Sequence, residues 1–334
     1  MSSIRMTLSG MSGIAGVKAN DTFASWLKRT TQTLGLPLIG LLVFLFIWQV
    51  GAKQIDTSLG QFPGPTQVYE QAGALVSEHN RERDREAAFY ERQEKRNADR
   101  VAKDPDYVPK IRDYTGKPTF FDQIGTSLVT VLAGFAIAAL IAIPLGICIG
   151  LNSALYSALN PIIQLFKPVS PLAWLPLVTM VVSAAYVSDD PLFAKSFLTS
   201  LFTVSLCCLW PTLINTAVGV SAISPDLQNV SKVLRLNWLT HVVRIVLPSS
   251  VPMIFTGLRL SLGIAWMVLI AAEMLAQNPG LGKFVWDEFQ NGSSDSLGRI
   301  MVAVLVIGLI GFLLDRIMLL IQRAVSWDKN AITR

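Results

Sequence analysis

Charge is what this sequence has least of. Charged residues make up 15% of its 334 positions, hydrophobic residues 51%, and mean hydropathy is +0.47; soluble domains carry about 25% charge. That balance excludes the pair of soluble domains that length alone would allow. Cysteine is scarce too. Cys148, Cys207 and Cys208 all lie in apolar runs without metal-ligand spacing, and the adjacent pair points to different sides of a helix, so all three read as small buried hydrophobes. A nucleotide-binding loop is missing: the Gly-Lys pairs Gly116-Lys117 and Gly282-Lys283 are followed by Pro118 and Phe284, where a phosphate loop needs Ser or Thr. A membrane-embedded transferase needs clustered carboxylates for Mg²⁺, and the pair nearest to that requirement, Asp189-Asp190, falls in a short connecting loop. No catalytic residue, metal site or bound cofactor is expected on this chain.

The charge that is present lies mostly in one place. Ten Lys/Arg and ten Asp/Glu fall between Glu78 and Asp113, leaving 31 charged residues for the other 298 positions. The chain therefore reads as an all-α polytopic membrane protein with one polar insert. A bilayer takes about 20 residues of helix, and six apolar stretches are candidates: 34–52, 122–151, 161–187, 192–220, 246–275 and 299–321. The first is marginal in length. It follows Lys28 and Arg29, and Lys53, Gln54 and Asp56 stand where a cleavage site would be, so it reads as a retained anchor. Pro211 should kink the fourth stretch, its freed carbonyl being satisfied by a neighbouring helix.

Loop charge sets the direction. With the N-terminus inside, the cytoplasmic segments hold twelve Lys/Arg, and the two short outer loops hold three, Lys195, Lys283 and Arg299. The long 53–120 loop is left out, because long loops translocate largely regardless of charge. Both termini are expected in the cytoplasm, and the net charge of +5 belongs to this asymmetry rather than to nucleic acid. The insert is rich in helix formers of alternating charge and has no wide apolar stripe. It reads as a solvated helical arm or hairpin outside the membrane that ends at Pro105 or Pro109, serving as a spacer or as a docking surface for an external partner.

The loop ISPDLQNVSKVLRLNWLTHVVRIVLPSSVP carries the functional signal. Ser224 is a suitable N-cap, Pro225 suits the first helical position, and Asp226 favours the positive helix end. Leu227, Val230 and Leu234 follow at i, i+3 and i+7, with Val233 beside them, while Asp226, Asn229, Lys232 and Arg235 occupy the remaining surface. This predicts a short amphipathic helix over 224–237. It either lies on lipid headgroups or inserts as a knob into a cleft on a cytosolic partner.

The same stretch resembles the Glu-Ala-Ala loop of binding-protein-dependent ABC importers, whose pattern runs Glu-Ala-Ala, three residues, Gly, nine residues, Ile, one residue, Leu-Pro. Ile245, Leu247 and Pro248 match its tail; Asn229, Val230 and Ser231 stand at Glu-Ala-Ala, and Arg235 stands at Gly. KPVSPLAWLPLV, PTLINTAVGV and GLRLSLGIAWMVLIAAEML resemble the permeases for nitrate, bicarbonate, taurine and alkanesulfonates. VSKVLRL together with AAEMLAQNPGLGKFVWDEFQNG is most similar to the nitrate/nitrite (and bicarbonate) branch. The resemblance covers residues 120–325 and leaves out the insert at 78–117.

It implies a type I ABC importer transmembrane domain of about six spans in the bacterial inner membrane. Together with the apolar stretches and the loop charge it gives a cytoplasmic tail (1–33), a first span (34–52), a periplasmic loop (53–120), a permease core (121–325) and a cytoplasmic tail (326–334). The implied partners are a second permease copy, two cytoplasmic ATPase subunits carrying ATP and Mg²⁺, a periplasmic solute-binding protein and the lipid bilayer, with no nucleic acid. The implied cargo is nitrate or nitrite, with bicarbonate, cyanate, taurine or an alkanesulfonate as the alternative. A passive channel would not need the capped loop helix.

Ionisable residues inside a membrane are costly and mark function by default. Arg259 reads either as an attractor for a planar anion or as half of an internal pair. Glu273 follows about 21 Å along the same helix. It would repel an anion, so it is expected to pair with Lys283 or Arg299 near the outer gate. Trp174, Trp210 and Trp266 either line the pathway or pack between helices. His241 is expected to serve the cytoplasmic surface. Pro168, Pro171 and Pro176 break the start of the third stretch and leave backbone groups able to face a cavity.

Overall fold

In lipid a single segment must satisfy its own backbone, and helix is the way it does so. The computed structural model describes residues 35–57, 60–104, 106–187 and 192–325. The two tails, with Lys28 and Arg29, and Pro105 and Asp189-Asp190 lie outside the described residues. The chain divides into two units, Met1–Tyr69 and Glu70–Arg334.

In the first unit, α1 (Leu36–Ala52) has 17 residues, about 26 Å of rise, and is shorter than the membrane-length helices that follow. β1 (Asp56–Thr57) and β2 (Gly60–Gln61) pair antiparallel, and Trp48 Nε1 donates to the Pro63 carbonyl at 3.1 Å.

The long polar helix α2 (Pro65–Lys103) starts well ahead of Glu78, the expected start of the insert. α3 (Phe120–Leu151) opens on a reciprocal cap: the Thr119 N–H donates to Asp122 Oδ2 at 2.9 Å, and the Asp122 N–H donates to Thr119 Oγ1 at 3.4 Å. The expected third span at 161–187 is not one straight helix. α4 (Ser153–Phe166) begins on the Asn152 cap, inside the expected loop, and α5 (Pro171–Ala185) begins on the Ser170 cap, with a bend of 100° between them. Pro168 and Pro171 disfavour helix in the residues before them, which places the break. α6 (Lys195–Ser221), α7 (Pro225–Val233), α8 (Trp238–His241), a π-turn (Val242–Val246), α9 (Leu247–Ala276), α10 (Leu281–Asn291) and α11 (Ser296–Val325) complete the chain. Among the described residues, four helical runs are long and apolar enough to cross a membrane, and the bent α4–α5 pair is so only when its two helices are taken together, as a broken span or a re-entrant loop.

The core of the second unit is built around α6. α3 runs parallel to it and lies close because its contact positions are small: at Gly146 an added Cβ would stand 2.9 Å from the Leu213 carbonyl, and at Gly150 2.6 Å from that of Ala217. α9 runs antiparallel on α6. Pro211 cannot donate a ladder bond to the Cys207 carbonyl, and Ser261 of α9 bridges the next rung: its Oγ donates to the Cys208 carbonyl at 2.5 Å and accepts from the Thr212 N–H at 3.1 Å. A neighbouring helix therefore supplies hydrogen bonds beside Pro211, but to the Cys208 carbonyl rather than to that of Cys207, the one the proline frees, and α6 continues as a single helix through this point. α11 packs on α9, where buried Trp266 donates through Nε1 to the Ile307 carbonyl at 3.0 Å. One end of this bundle carries the α7–α8 loop; the other carries the arm α2.

Candidate functional site

At the loop end, the expected single helix over 224–237 is corrected to α7 (Pro225–Val233) and the one-turn α8. Ser224 occupies the N-cap position but makes no side-chain cap bond. The C-terminus explains the early stop. Leu236 N–H donates to the Ser231 carbonyl and Arg235 N–H to that of Lys232, both at 3.1 Å, with Arg235 left-handed at φ 47°. This is a Schellman closure, whose left-handed position glycine normally fills. Arg235 stands where the resembled pattern has Gly, so the loop keeps the backbone shape and changes the residue.

Asn237 then caps α8, accepting from the Thr240 N–H at 2.8 Å. His241 Nδ1 lies 2.8 Å from Ser231 Oγ and ties α8 back to α7. Pro248, which lacks an N–H, follows the π-turn, and Val242, Val246, Ile245 and Leu247 pack with Ile147 and Val220, near the C-terminal ends of α3 and α6, and with Ile223 just after α6. The Ile-x-Leu-Pro tail therefore roots the loop in the bundle. Outward, Leu227, Val230 and Leu234 are 41%, 48% and 62% exposed and form an apolar face that remains open among the described residues. Asp226 and Asn229 are exposed beside it, while Ser231 is buried against His241. A cavity of about 1000 Å³ lies behind the loop, between α7 and the ends of α3 and α6.

The intramembrane candidates separate. Arg259 makes a bidentate pair with Asp315 of α11, Nε to Oδ1 at 2.5 Å and Nη2 to Oδ2 at 3.0 Å. The expected pairing of Glu273 with Lys283 or Arg299 is overturned. Glu273 is fully buried and accepts from Ser127 Oγ at 2.8 and 2.9 Å and from the Gly282 N–H at 3.0 Å, while Ser127 Oγ also accepts from the Leu281 N–H at 2.8 Å. The carboxylate sits at the positive N-terminus of α10, which stabilises an anion without a cation. A side chain at Gly280 would displace the Glu273 carboxylate, and one at Gly282 would collide with the Ile270 backbone carbonyl. Lys283 pairs with Asp287 at 2.6 Å, and Arg299 pairs with Glu78 and, at 3.3 Å, with Glu288.

Phe166 lies between Trp174 and Trp210, with ring centroids 5.7 and 6.3 Å away, and so pins the α4–α5 bend against α6. The Trp174 Nε1 is buried without a hydrogen-bond partner among the described residues. Three groups that organise these sites, Asp315, Ser127 and Ser261, escaped the sequence reading. Asp315 was the most readable, as an acid within the apolar run LIGFLLDRIMLL. The two serines carry no signal in one dimension.

Residues 142–327 match the family described as binding-protein-dependent transport system inner membrane component. The chain is 35% identical over 310 residues to the bicarbonate transport system permease protein CmpB of Synechococcus elongatus, covering 92% of this chain and 95% of that protein. It is 32% identical over 316 residues to the nitrate import permease protein NrtB of the same organism, covering 91% and 94%. Among solved structures, a chain of the MetNI methionine ABC transporter superposes with a TM-score of 0.54 at 12% identity, covering 62% of this chain and 95% of that one, a likeness of fold alone.

Proposed function

We propose that this chain, which belongs to the binding-protein-dependent transport system inner membrane component family, is the membrane subunit of an ATP-driven importer for nitrate or nitrite. Bicarbonate, cyanate, taurine or an alkanesulfonate is the alternative cargo. Relatives named for bicarbonate and for nitrate both align over nine-tenths of the chain. Nitrate and bicarbonate are planar monoanions, so that chemistry is common to both names. In this reading two copies surround the pathway, and two ATPase subunits bind ATP and Mg²⁺ on the cytoplasmic side. A solute-binding protein delivers the anion from the periplasm. The loop end faces the cytoplasm with both termini, as the twelve-to-three charge asymmetry favours, and the arm end faces the periplasm.

The observation that carries this reading is the unpartnered face of Leu227, Val230 and Leu234 on a helix closed by Arg235 and rooted through Leu247-Pro248. A rigid apolar knob suits a groove on an ATPase subunit, which in closing would pull on α9. Uptake of labelled nitrate tests it, in cells lacking other nitrate importers that express the chain with its ATPase and receptor. ATP-dependent uptake blocked by nitrate or nitrite and not by taurine is expected. Leu227→Asp should abolish both ATPase co-purification and uptake while the chain still inserts. Uptake of bicarbonate instead would replace the cargo, and an ATPase that still co-purifies with Leu227→Asp would remove the docking assignment.

A further inference from the structure

At the arm end a cavity of about 320 Å³ opens between α2, the segment leading into α3, and the ends of α10 and α11. Its floor is apolar, with Leu75, Phe120 and Phe284. Its walls carry four carboxylates, and each is already engaged. Glu78 and Glu288 share Arg299; Glu82 pairs with Arg85 at 3.1 Å and accepts from Tyr114 OH at 2.7 Å; Asp287 pairs with Lys283. Two lining cations remain. Arg81 donates to Ser77, through Nε to its carbonyl at 3.2 Å and through Nη2 to its Oγ at 3.3 Å, and has no carboxylate partner among the described residues. Lys117 makes no ion pair among the described residues. α2 brings Glu78, Arg81, Glu82 and Arg85 to one face at i, i+3, i+4 and i+7, and the Glu82–Tyr114 bond holds the segment bearing Lys117 beside them.

We infer that this cavity binds a small free oxyanion between the Arg81 guanidinium and the Lys117 ammonium, as a waiting site for the cargo before it enters the bundle. The inference rests on the oxyanion reading of the transported species. A guanidinium offers a planar fork of donors that matches a planar oxyanion, and a lysine adds a point charge. At about 30 Å³ per water the space holds roughly ten waters, enough for such an anion with part of its hydration shell. Pairing of every other charge matters as much as the two cations, because an unpaired carboxylate in the same wall would cancel the attraction.

The test uses the full chain with its ATPase partners in nanodiscs, with chloride as the probe. Chlorine-35 NMR line broadening above that of empty nanodiscs, reversed by nitrate, is expected for the wild type and lost in Arg81→Gln/Lys117→Gln. In labelled-nitrate uptake the same double variant should raise the apparent KM by about tenfold, the scale of a lost charge-assisted contact. Maximal rate and receptor capture should stay unchanged, and Arg96→Gln on the distal arm should behave as wild type. Equal broadening and equal KM in wild type and double variant would overturn the site. Loss of receptor capture with broadening retained would also overturn it, since the cations would then grip a carboxylate of the receptor. If the wild type imports no nitrate, the cargo reading fails on its own, and the chloride signal and its loss in the variant still decide the site.

Discussion

Arg235 holds a backbone conformation in which L-residues are strained by about 1–2 kcal/mol. It closes α7 there because the Schellman bonds from Arg235 and Leu236 require it. Arg235→Gly should therefore slow hydrogen exchange at these two amides by about fivefold, or ~1 kcal/mol, and Arg235→Val should speed it, since a β-branched residue tolerates the left-handed region worst. Its sequence position was readable as the family's Gly position; that the turn persists without glycine was not. Glu273 teaches the converse. Its isolation in an apolar run was plain, but its partners are Ser127, far back on α3, and the backbone N–H of Gly282. Sequence reasoning sought a cation because it had no way to count helix-end donors.

The arm shows what an element adds. Composition predicted a helical arm or hairpin, and the structure has a helix with an extended return. The Lys110 carbonyl accepts from Asn97 Nδ2, the Arg112 backbone exchanges bonds with the Gln93 side chain in both directions, and the Tyr114 N–H donates to the Tyr90 hydroxyl. Alternate residues of an extended chain present their backbone to one side, which is how helix side chains at turn spacing meet positions 110, 112 and 114. The Tyr114 hydroxyl, donating to Glu82, holds that carboxyl below its ordinary 4.5, and the carboxylate raises the phenol above its ordinary 10.0. The lowered acid contributes above pH 4.5 and is lost as pH falls through its folded value. The raised phenol contributes below pH 10.0 and is lost as pH rises through its own. The return segment should stay clasped between those limits. At neutral pH, trypsin should cut after Lys110 and Arg112 severalfold faster in Tyr114→Phe than in the wild type.

At the scale of the molecule, the Arg259–Asp315 pair links α9 to α11 across 56 residues of sequence. Removing one partner of such a pair leaves a charge without compensation, whereas replacing both with apolar residues is often neutral. Because both side chains are about one-third exposed, Asp315→Ala should cost about 2 kcal/mol, below the fully buried range. It should lower the yield of folded chain, and Arg259→Met/Asp315→Leu should restore that yield. Uptake by the restored double variant then separates the two roles of Arg259. Transport retained makes the pair a structural tie, and transport lost with folding intact makes Arg259 part of the anion path.

What the sequence alone determined is local and periodic: the apolar lengths that must become helix in lipid, the prolines that end or bend them, the amphipathic stretch from Pro225, and the charge balance of the arm. Each follows from how neighbouring residues share one helix face or one solvent. Only the tertiary structure decided that Ser261 bridges Cys208 and Thr212 beside Pro211, that a helix end rather than a cation holds Glu273, and that among the described residues Arg81 and Lys117 have no carboxylate partner while each acid lining their cavity is engaged. Those outcomes depend on which helices come within about 3 Å of one another, and hydrogen bonds and ion pairs of that range carry no trace in a one-dimensional pattern.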